Sequence, residues 1–212
     1  MELIYGMRTL LKWKRNVSQN IRVYYNMRQS DKELKGYLKG FATLMGRNKS
    51  VANNDYYYKS LYHFAVKEMQ YYKPAHLTSA EKSIVMRAIK SLGFKPQVRQ
   101  CFYNSQMLAL NDDTNAIRYV EGYGKNLIPT LHGWCEINKK VIDVTWKEDG
   151  QYVLGQFNDE RSYAGVIFPT EYCAASMLKN GFCGTLIEDY KNDYPIMKKK
   201  WDGKIRVMNV KH

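Results

Sequence analysis

The sequence of 212 residues lacks the features that identify membrane, secreted or repetitive proteins. It contains no stretch of about 18 uncharged apolar residues, so we expect no membrane-spanning helix. The segment from Met1 to Arg15 mixes apolar and charged residues and has no small-residue cleavage site, so it does not resemble a secretory signal. Repeats and low-complexity segments are also missing. These absences favour one globular domain with an N-terminal extension and no membrane partner.

Cysteine is scarce, and its four copies are Cys101, Cys135, Cys173 and Cys183. None of them forms a closely spaced pair, which favours reduced thiols. We therefore expect a cytoplasmic protein, or one of the host cytoplasm if it is viral. The sequence leaves a disulfide between Cys173 and Cys183 open.

Metal and nucleotide motifs are missing as well. Zinc sites usually contain ligands two to four residues apart, and here only His132 and Cys135 have that spacing. On a strand these two side chains would point to opposite faces. Gly122 and Gly124 lack the remainder of a nucleotide-binding loop. We therefore expect neither a metal nor a cofactor.

Acidic residues are scarce in the first part of the chain. Residues 1–99 contain 19 Lys and Arg but 6 Asp and Glu, whereas residues 100–212 contain 14 of each kind, for totals of 33 and 20. Ten of the 18 tyrosines also lie within residues 1–99. Such a pattern can bind nucleic acid or an acidic partner by phosphate contacts and base stacking. We favour the simpler interpretation, in which tyrosines pack inside helices and lysines face water.

Apolar residues at helical spacing predict three helices in this basic region. The first begins at Ser30 and stops at Gly46, and the second begins at Asn54 and ends before Pro74. The third begins with the capping box Thr78–Glu81 and ends at Gly93. Residues 47–54 are the predicted loop, while the first thirty residues fit either a helix or a mobile basic arm. We divide the chain into a Tyr-rich helical region, 1–75, and a core, 76–212, within one compact unit.

Beyond residue 99 the pattern changes to β-branched and aromatic residues that are typical of strands. We predict strands near 116–123, 130–138 and 140–146, a helix near 170–180, a solvated turn at residues 198–200 and a last strand at 205–210. A short helix begins at or beside Cys101, because Phe102, Gln106 and Leu110 keep helical spacing. The predicted fold class is α+β, with helices packed on an antiparallel sheet.

The ordered set Cys101, His132 and Asp143 supplies the three groups that thiol acyl transfer needs: a nucleophile, a base and an orienting carboxylate. A two-residue turn at Asn138 and Lys139 pairs Ile137 with Lys140. Counting outward then sets His132 opposite Thr145 and Trp134 opposite Asp143, so the imidazole and the carboxylate lie diagonally on one face. A three-residue loop would separate them onto opposite faces.

Cys101 gains from its predicted place at the start of a helix, where free N–H groups and the helix dipole favour a thiolate. The same amides can receive an oxyanion. Gln100 is the side-chain candidate for that role, and Gln97 is an alternative.

Three further residues have predicted roles around the triad. Glu136 shares the face of His132 but ranks below Asp143 as its partner, because four residues along a strand span roughly 13 Å. Trp134 and Tyr123 are candidates for the wall of the substrate cleft, although packing is the favoured role of Trp134.

These motifs resemble the transglutaminase-like branch of the papain-like cysteine enzyme superfamily over roughly residues 80–190. The motifs that carry the resemblance are Gln-Cys-Phe-Tyr-Asn at 100–104, Arg-Tyr-Val-Glu-Gly-Tyr at 118–123, His-Gly-Trp-Cys-Glu at 132–136 and Ile-Asp-Val-Thr-Trp at 142–146. The stretches 164–172 and 178–182 are similar to uncharacterised bacterial and phage members. Gly133 replaces the commoner Ala, and Val144 the commoner Pro.

The resemblance implies a papain/transglutaminase-like fold, with Cys101 as nucleophile, His132 as base and Asp143 as orienting acid. Members of this superfamily catalyse proteolysis, amide hydrolysis or transamidation, and some only bind. We expect a thiol hydrolase or acyltransferase that acts through a thioester on a protein or an amide-bearing small molecule. The positive charge of the basic region favours an acidic or phosphate-bearing substrate. The alternative function is a non-catalytic module that binds nucleic acid or an acidic partner, of which nucleic acid is the less favoured ligand.

Overall fold

The computed structural model describes residues 27–47, 56–93 and 95–203, and within them the fold is α+β. The helices are α1 (Gln29–Arg47), α2 (Leu61–Glu68), α3 (Ser79–Ser91), α4 (Cys101–Leu110) and α5 (Thr170–Asn180). The strands are β1 (Gln70–Tyr72), β2 (Arg118–Lys125), β3 (Pro129–Ile137), β4 (Lys140–Glu148), β5 (Gln151–Leu154) and β6 (Ser162–Phe168). No helix of the described ranges is long and apolar enough to span a membrane.

All six strands belong to one antiparallel sheet with the order β1-β6-β2-β3-β4-β5. Strand β1 comes from the region that precedes residue 76, and it pairs with β6 through Gln70 and Gly165. The basic region and the predicted core therefore share a sheet.

The β3–β4 hairpin has the predicted register next to its turn, but the predicted pairs of Trp134 with Asp143 and of His132 with Thr145 are not formed. Asn138 and Lys139 both have positive φ angles, of 50° and 65°, and Ile137 pairs with Lys140. Two successive positive φ angles match the right-handed twist of the flanking strands. Regular pairing ends at Cys135 and Ile142, so the two strands diverge beyond that point.

Two hydrophobic clusters cover the two faces of the sheet, because successive side chains on a strand point to opposite sides. The larger cluster lies under the helices and includes Leu34, Phe64 and Leu108. The smaller one is formed by Tyr72, Val120, Trp134, Val141, Val153, Phe157 and Tyr163. Buried aromatic side chains remove 150–250 Å² each from water, so the few residues of the second cluster still form a substantial core.

The capping box at the start of α3 is present as predicted. The hydroxyl of Thr78 accepts a hydrogen bond from the backbone N–H of Glu81 (3.2 Å), and the carboxylate of Glu81 accepts one from the N–H of Thr78 (2.7 Å). Glu81 also binds Nζ of Lys140 at 2.6 Å, so the cap connects α3 to the β3–β4 turn.

The second predicted helix is wrong in its length. It was expected to begin at Asn54 and to continue through Met69 and Tyr72. Residues 56–60 are not helical, α2 extends only from Leu61 to Glu68, and residues 70–72 form β1. Pairing with β6 satisfies the backbone groups of this segment, and this tertiary interaction overrides the helical spacing. Strands β5 and β6 were not predicted. The predicted last strand at 205–210, most of the predicted loop and the first 26 residues lie outside the described residues.

Candidate active site

Cys101 is the first residue of α4 and is half-buried. Its helix is attached to β3 by a hydrogen bond of 3.0 Å from the hydroxyl of Ser105 to the carbonyl oxygen of Gly133. A second bond of 3.0 Å joins the side-chain amide of Asn104 to the hydroxyl of Thr145 in β4. The start of α4 is thus held at the opening where β3 and β4 diverge.

Gly133 permits this close approach. A Cβ atom at this position would lie 3.0 Å from the ring of Phe102 and 3.3 Å from the carbonyl oxygen of Cys101. Through the opening, the thiol of Cys101 reaches His132, although α4 packs on one face of the sheet and His132 belongs to the other.

The imidazole of His132 is buried and is bonded through Nε2 to Oδ2 of Asp143 at 2.7 Å. The predicted proximity of the two side chains is therefore confirmed. Asp143 accepts three further hydrogen bonds, from the hydroxyl of Tyr163 (3.0 Å) and the backbone N–H groups of Thr145 (2.8 Å) and Trp146 (2.9 Å). Because Nε2 is occupied, Nδ1 is the ring nitrogen left for the thiol of Cys101.

The charges of this cluster shift the ionisation of the imidazole. Burial by itself lowers the pKa of His132, but the charge of Asp143 and the hydrogen bonds to Asp143 and Cys101 raise it to about 9. Burial acts on Asp143 in the opposite direction, yet the attraction of His132 and the backbone donors leave the pKa of this carboxyl below its usual value. An imidazolium that is stable at neutral pH can stabilise a thiolate beside it.

Aromatic rings enclose the imidazole. The indole of Trp146 is stacked on His132, with ring centroids 3.9 Å apart and an angle of 13° between the planes. Gly124 provides the space, since a Cβ atom there would lie 2.6 Å from the Trp146 ring. This stacking keeps water from the bond between His132 and Asp143, and exclusion of water strengthens an ionic hydrogen bond.

Two predicted cleft residues are corrected by their burial. Trp134 is 0% exposed and belongs to the smaller hydrophobic cluster, and Tyr123 is 4% exposed and stacks on Tyr62. Neither side chain has surface to offer a substrate, because β2 and β3 are buried on both faces.

The remaining candidates are placed more simply. Nε of Arg118 donates a hydrogen bond of 2.7 Å to the carboxylate of Glu136, so Glu136 is the partner of Arg118 and not of His132. Gln100 is exposed beside Cys101, and its amide donates to the side chain of Gln97 at 3.0 Å. The four cysteines are free thiols.

Sequence reasoning missed Tyr163 and Asn104. Tyr163 lies on β6, whose run of apolar residues at 163–168 was a signal for a strand buried on both faces. Asn104 binds the backbone of Gln97 on both sides, with a bond of 2.7 Å to the carbonyl oxygen and one of 3.2 Å from the N–H. An asparagine inside the predicted helix was the signal for such a role, because its side chain can bond to nearby backbone groups.

Other sites for ligands are limited among the described residues. A cavity of about 640 Å³ is lined by Glu68, Arg118, Glu171 and Trp201 among others, and no triad residue contributes to it. No group of three or more His, Cys, Asp or Glu residues in the described ranges is arranged to hold a metal ion.

Comparisons with known proteins found no match, either to a family model, to a curated protein or to a solved structure. The geometry of the site must therefore carry any functional assignment.

Proposed function

We propose that this chain is a thiol-dependent acyl-transfer enzyme, an amide or peptide hydrolase or a transamidase, of the transglutaminase-like type. The observation that carries the proposal is the contact of His132 with both Cys101 and Asp143 in a buried setting. A histidine that serves only to fill a core needs one satisfied partner, whereas this one lies between a thiol and a carboxylate.

The arrangement suits a two-step reaction through a thioester. The thiolate of Cys101 attacks the carbonyl carbon of an amide, the C–N bond breaks, and the imidazolium of His132 gives its proton to the leaving amine. Water or a second amine then attacks the thioester and loses a proton to His132, the C–S bond breaks, and the acyl group leaves with restoration of the thiolate and the imidazolium. Asp143 keeps the imidazole in the tautomer that faces Cys101.

The negative charge on the substrate oxygen needs donors in the tetrahedral intermediate. The backbone N–H of Cys101 at the start of α4 is one candidate, and the exposed amide of Gln100 is another. Both donors lie next to the thiol in the sequence, so an oxyanion there would form beside the attacked carbon.

The proposal is tested with p-nitrophenyl acetate, which acylates an activated thiol without a specific binding pocket. We expect a burst of p-nitrophenolate and acetylation of Cys101, and we expect neither a burst nor acetylation at that position in Cys101→Ala. A primary amine that accelerates turnover would identify a transamidase. Acetylation at another cysteine, or equal rates in wild type and His132→Ala, would contradict the proposal.

The binding-module alternative depends on the charge of residues 1–99, and no contact of the described residues favours it. It predicts that nucleic acid binds full-length protein with an affinity that falls steeply with salt. An affinity that is the same at low and moderate salt excludes a phosphate-driven interaction.

A further inference from the structure

Asp143 uses its two carboxylate oxygens differently. Oδ1 is held by the backbone N–H groups of Thr145 and Trp146, which belong to the same strand. Oδ2 accepts from His132 at 2.7 Å and from the hydroxyl of Tyr163 at 3.0 Å. The tyrosine thus shares with the imidazole the oxygen on which the orientation of His132 depends.

We propose that Tyr163 is a positioning residue of this site, whose buried hydroxyl fixes Oδ2 of Asp143 where it binds Nε2 of His132. The inference rests on the proposed function, since it assigns a role toward His132 and Cys101. Tyr163 touches no reacting atom in this role. Its hydroxyl also lies within hydrogen-bond reach of the guanidinium of Arg161, and it acts on His132 through the carboxylate.

The ring of Tyr163 is itself firmly held. It is 0% exposed, its backbone pairs with Tyr72 on one side and Gly124 on the other, and its centroid lies 5.2 Å from that of Trp134 and 5.1 Å from that of Phe157. Side chains packed in this way have few alternative rotamers, so the hydroxyl has little freedom to leave Asp143.

The start of β6 is fixed by the first turn of α1. The hydroxyl of Ser30 donates to the carbonyl oxygen of Arg161 at 3.2 Å, and the guanidinium of Arg28 donates to the same oxygen. The hydroxyl of Ser162 donates to Oδ1 of Asp31 at 2.5 Å. The basic N-terminal region therefore helps to determine where Tyr163 lies, which gives it a role in the site that needs no contact with substrate.

A purely structural role is the competing explanation, because any buried tyrosine hydroxyl needs a partner. The chain contains a matched case in Tyr119, whose hydroxyl donates at 2.7 Å to the buried carboxylate of Glu121. Within the described part of the chain, the hydrogen-bond partners of Glu121 include no imidazole and no thiol. Tyr119→Phe thus removes the same kind of bond from a carboxylate that takes no part in the proposed reaction.

The experiment compares wild type, Tyr163→Phe, Tyr119→Phe and His132→Ala by two measurements. The first is the NMR titration of the His132 ring nitrogens in ¹⁵N-histidine-labelled protein, with His132→Ala as the assignment control. The second is the pH profile of Cys101 alkylation by iodoacetamide. In Tyr163→Phe we expect an upward shift of about half a pH unit in the His132 titration, because the carboxylate loses a donor and attracts the imidazolium more strongly. Alkylation of Cys101 should slow by about tenfold, because Asp143 loses a hydrogen bond and no longer holds His132 firmly toward the thiol.

Tyr119→Phe should lose stability like Tyr163→Phe, with both measurements at wild-type values. If Tyr163→Phe gives the wild-type titration and alkylation profile, the positioning role is refuted. The proposed function fails separately if His132→Ala alkylates as wild type does. The titration of His132 tests the positioning role of Tyr163 whether or not the proposed function holds.

Discussion

Two carboxylates, Asp143 in β4 and Glu121 in β2, are fully buried on opposite faces of one sheet. Each accepts four hydrogen bonds, of which two come from backbone N–H groups and one from a tyrosine hydroxyl. The fourth donor differs: it is the imidazole of His132 at Asp143 and the hydroxyl of Thr185 at Glu121. The two sites therefore differ in the kind of one donor among four.

With that single difference, the pKa values of the two groups shift in opposite directions. Burial raises the pKa of Glu121 to about 6, because its neutral donors only partly offset the loss of water. At Asp143 the same burial is outweighed by the charge of His132, and the pKa is lowered. Neutral donors offset only part of the free-energy cost of burying a carboxylate. A cationic donor also lowers the pKa of the carboxyl and keeps it ionised, so that it can orient an imidazole.

The two sites also hold different parts of the chain. Glu121 fastens the segment after α5 to the sheet through the backbone N–H groups of Leu186 (2.8 Å) and Ile187 (3.0 Å). Asp143 instead gathers side chains from β3 and β6 around the start of α4. We infer that Glu121 serves the fold and that Asp143 serves the proposed reaction.

The largest expected difference between the sites lies in activity. We expect Asp143→Asn to slow acetylation of Cys101 by p-nitrophenyl acetate by up to ~10⁴, because an amide favours the wrong imidazole tautomer. Glu121→Gln, the matched neutral substitution, should stay within about fivefold of wild type, since it removes no contact of His132. If both variants were folded and lost acetylation rate to a similar extent, the two carboxylates would not have the different roles inferred above.

The next largest effect is on stability at alkaline pH. The pKa of His132 is about 9 in the folded protein against 6.5 for an ordinary histidine, so its contribution is complete below pH 6.5 and is lost as pH rises through 9. The difference corresponds to roughly 3 kcal/mol. Urea unfolding at pH 6, 7.5 and 9 should show this loss in wild type and a flatter dependence in His132→Gln. An identical slope in both proteins would remove His132 as its source.

Glu121 should produce a smaller loss in the acid range. Its pKa is raised from 4.5 to about 6, so the folded state holds this proton more tightly, and stability falls as pH rises from 4.5 through 6. We expect roughly 2 kcal/mol from this group. Urea midpoints across this range should decline in wild type relative to Glu121→Gln, whose side chain does not titrate. Parallel curves would show that Glu121 has an ordinary pKa.

The smallest effect concerns the residue between the two sites. A methyl group added at Gly133 would lie 3.0 Å from the ring of Phe102 and 3.0 Å from the hydroxyl of Tyr119. We expect Gly133→Ala to cost about 1 kcal/mol of stability, because both neighbours must move slightly. Thermal unfolding measures this cost, with Gly36→Ala on the exposed surface of α1 as the control that meets nothing within 4 Å. A gain in stability would mean that this space is not tight.

The parts of the site that could be predicted are those defined over short distances in the sequence. The turn at Asn138 and Lys139 fixes the register of the hairpin as far as Cys135 and Ile142, and this places His132 and Asp143 on the same face, where they meet although the strands have diverged. The helix at Cys101 was likewise predictable, because its spacing is local. Residues that act across distant strands could not be found in this way. Tyr163 reaches Asp143 only because β6 lies beside β2, and a pairing of that kind leaves no periodic trace in either segment.

The opening between β3 and β4 makes the contact between Cys101 and His132 depend on nearly complete folding. Cys101 comes from a helix on one face of the sheet and His132 from the core on the other, so the thiol meets its base only after both cores have formed. Closure of such distant contacts is the slow part of assembling a β-rich fold. In a nascent or partly unfolded chain, Cys101 would therefore lack its contact with His132. Under the proposed function, the reactivity of this one sulfur atom would report that these long-range contacts are in place.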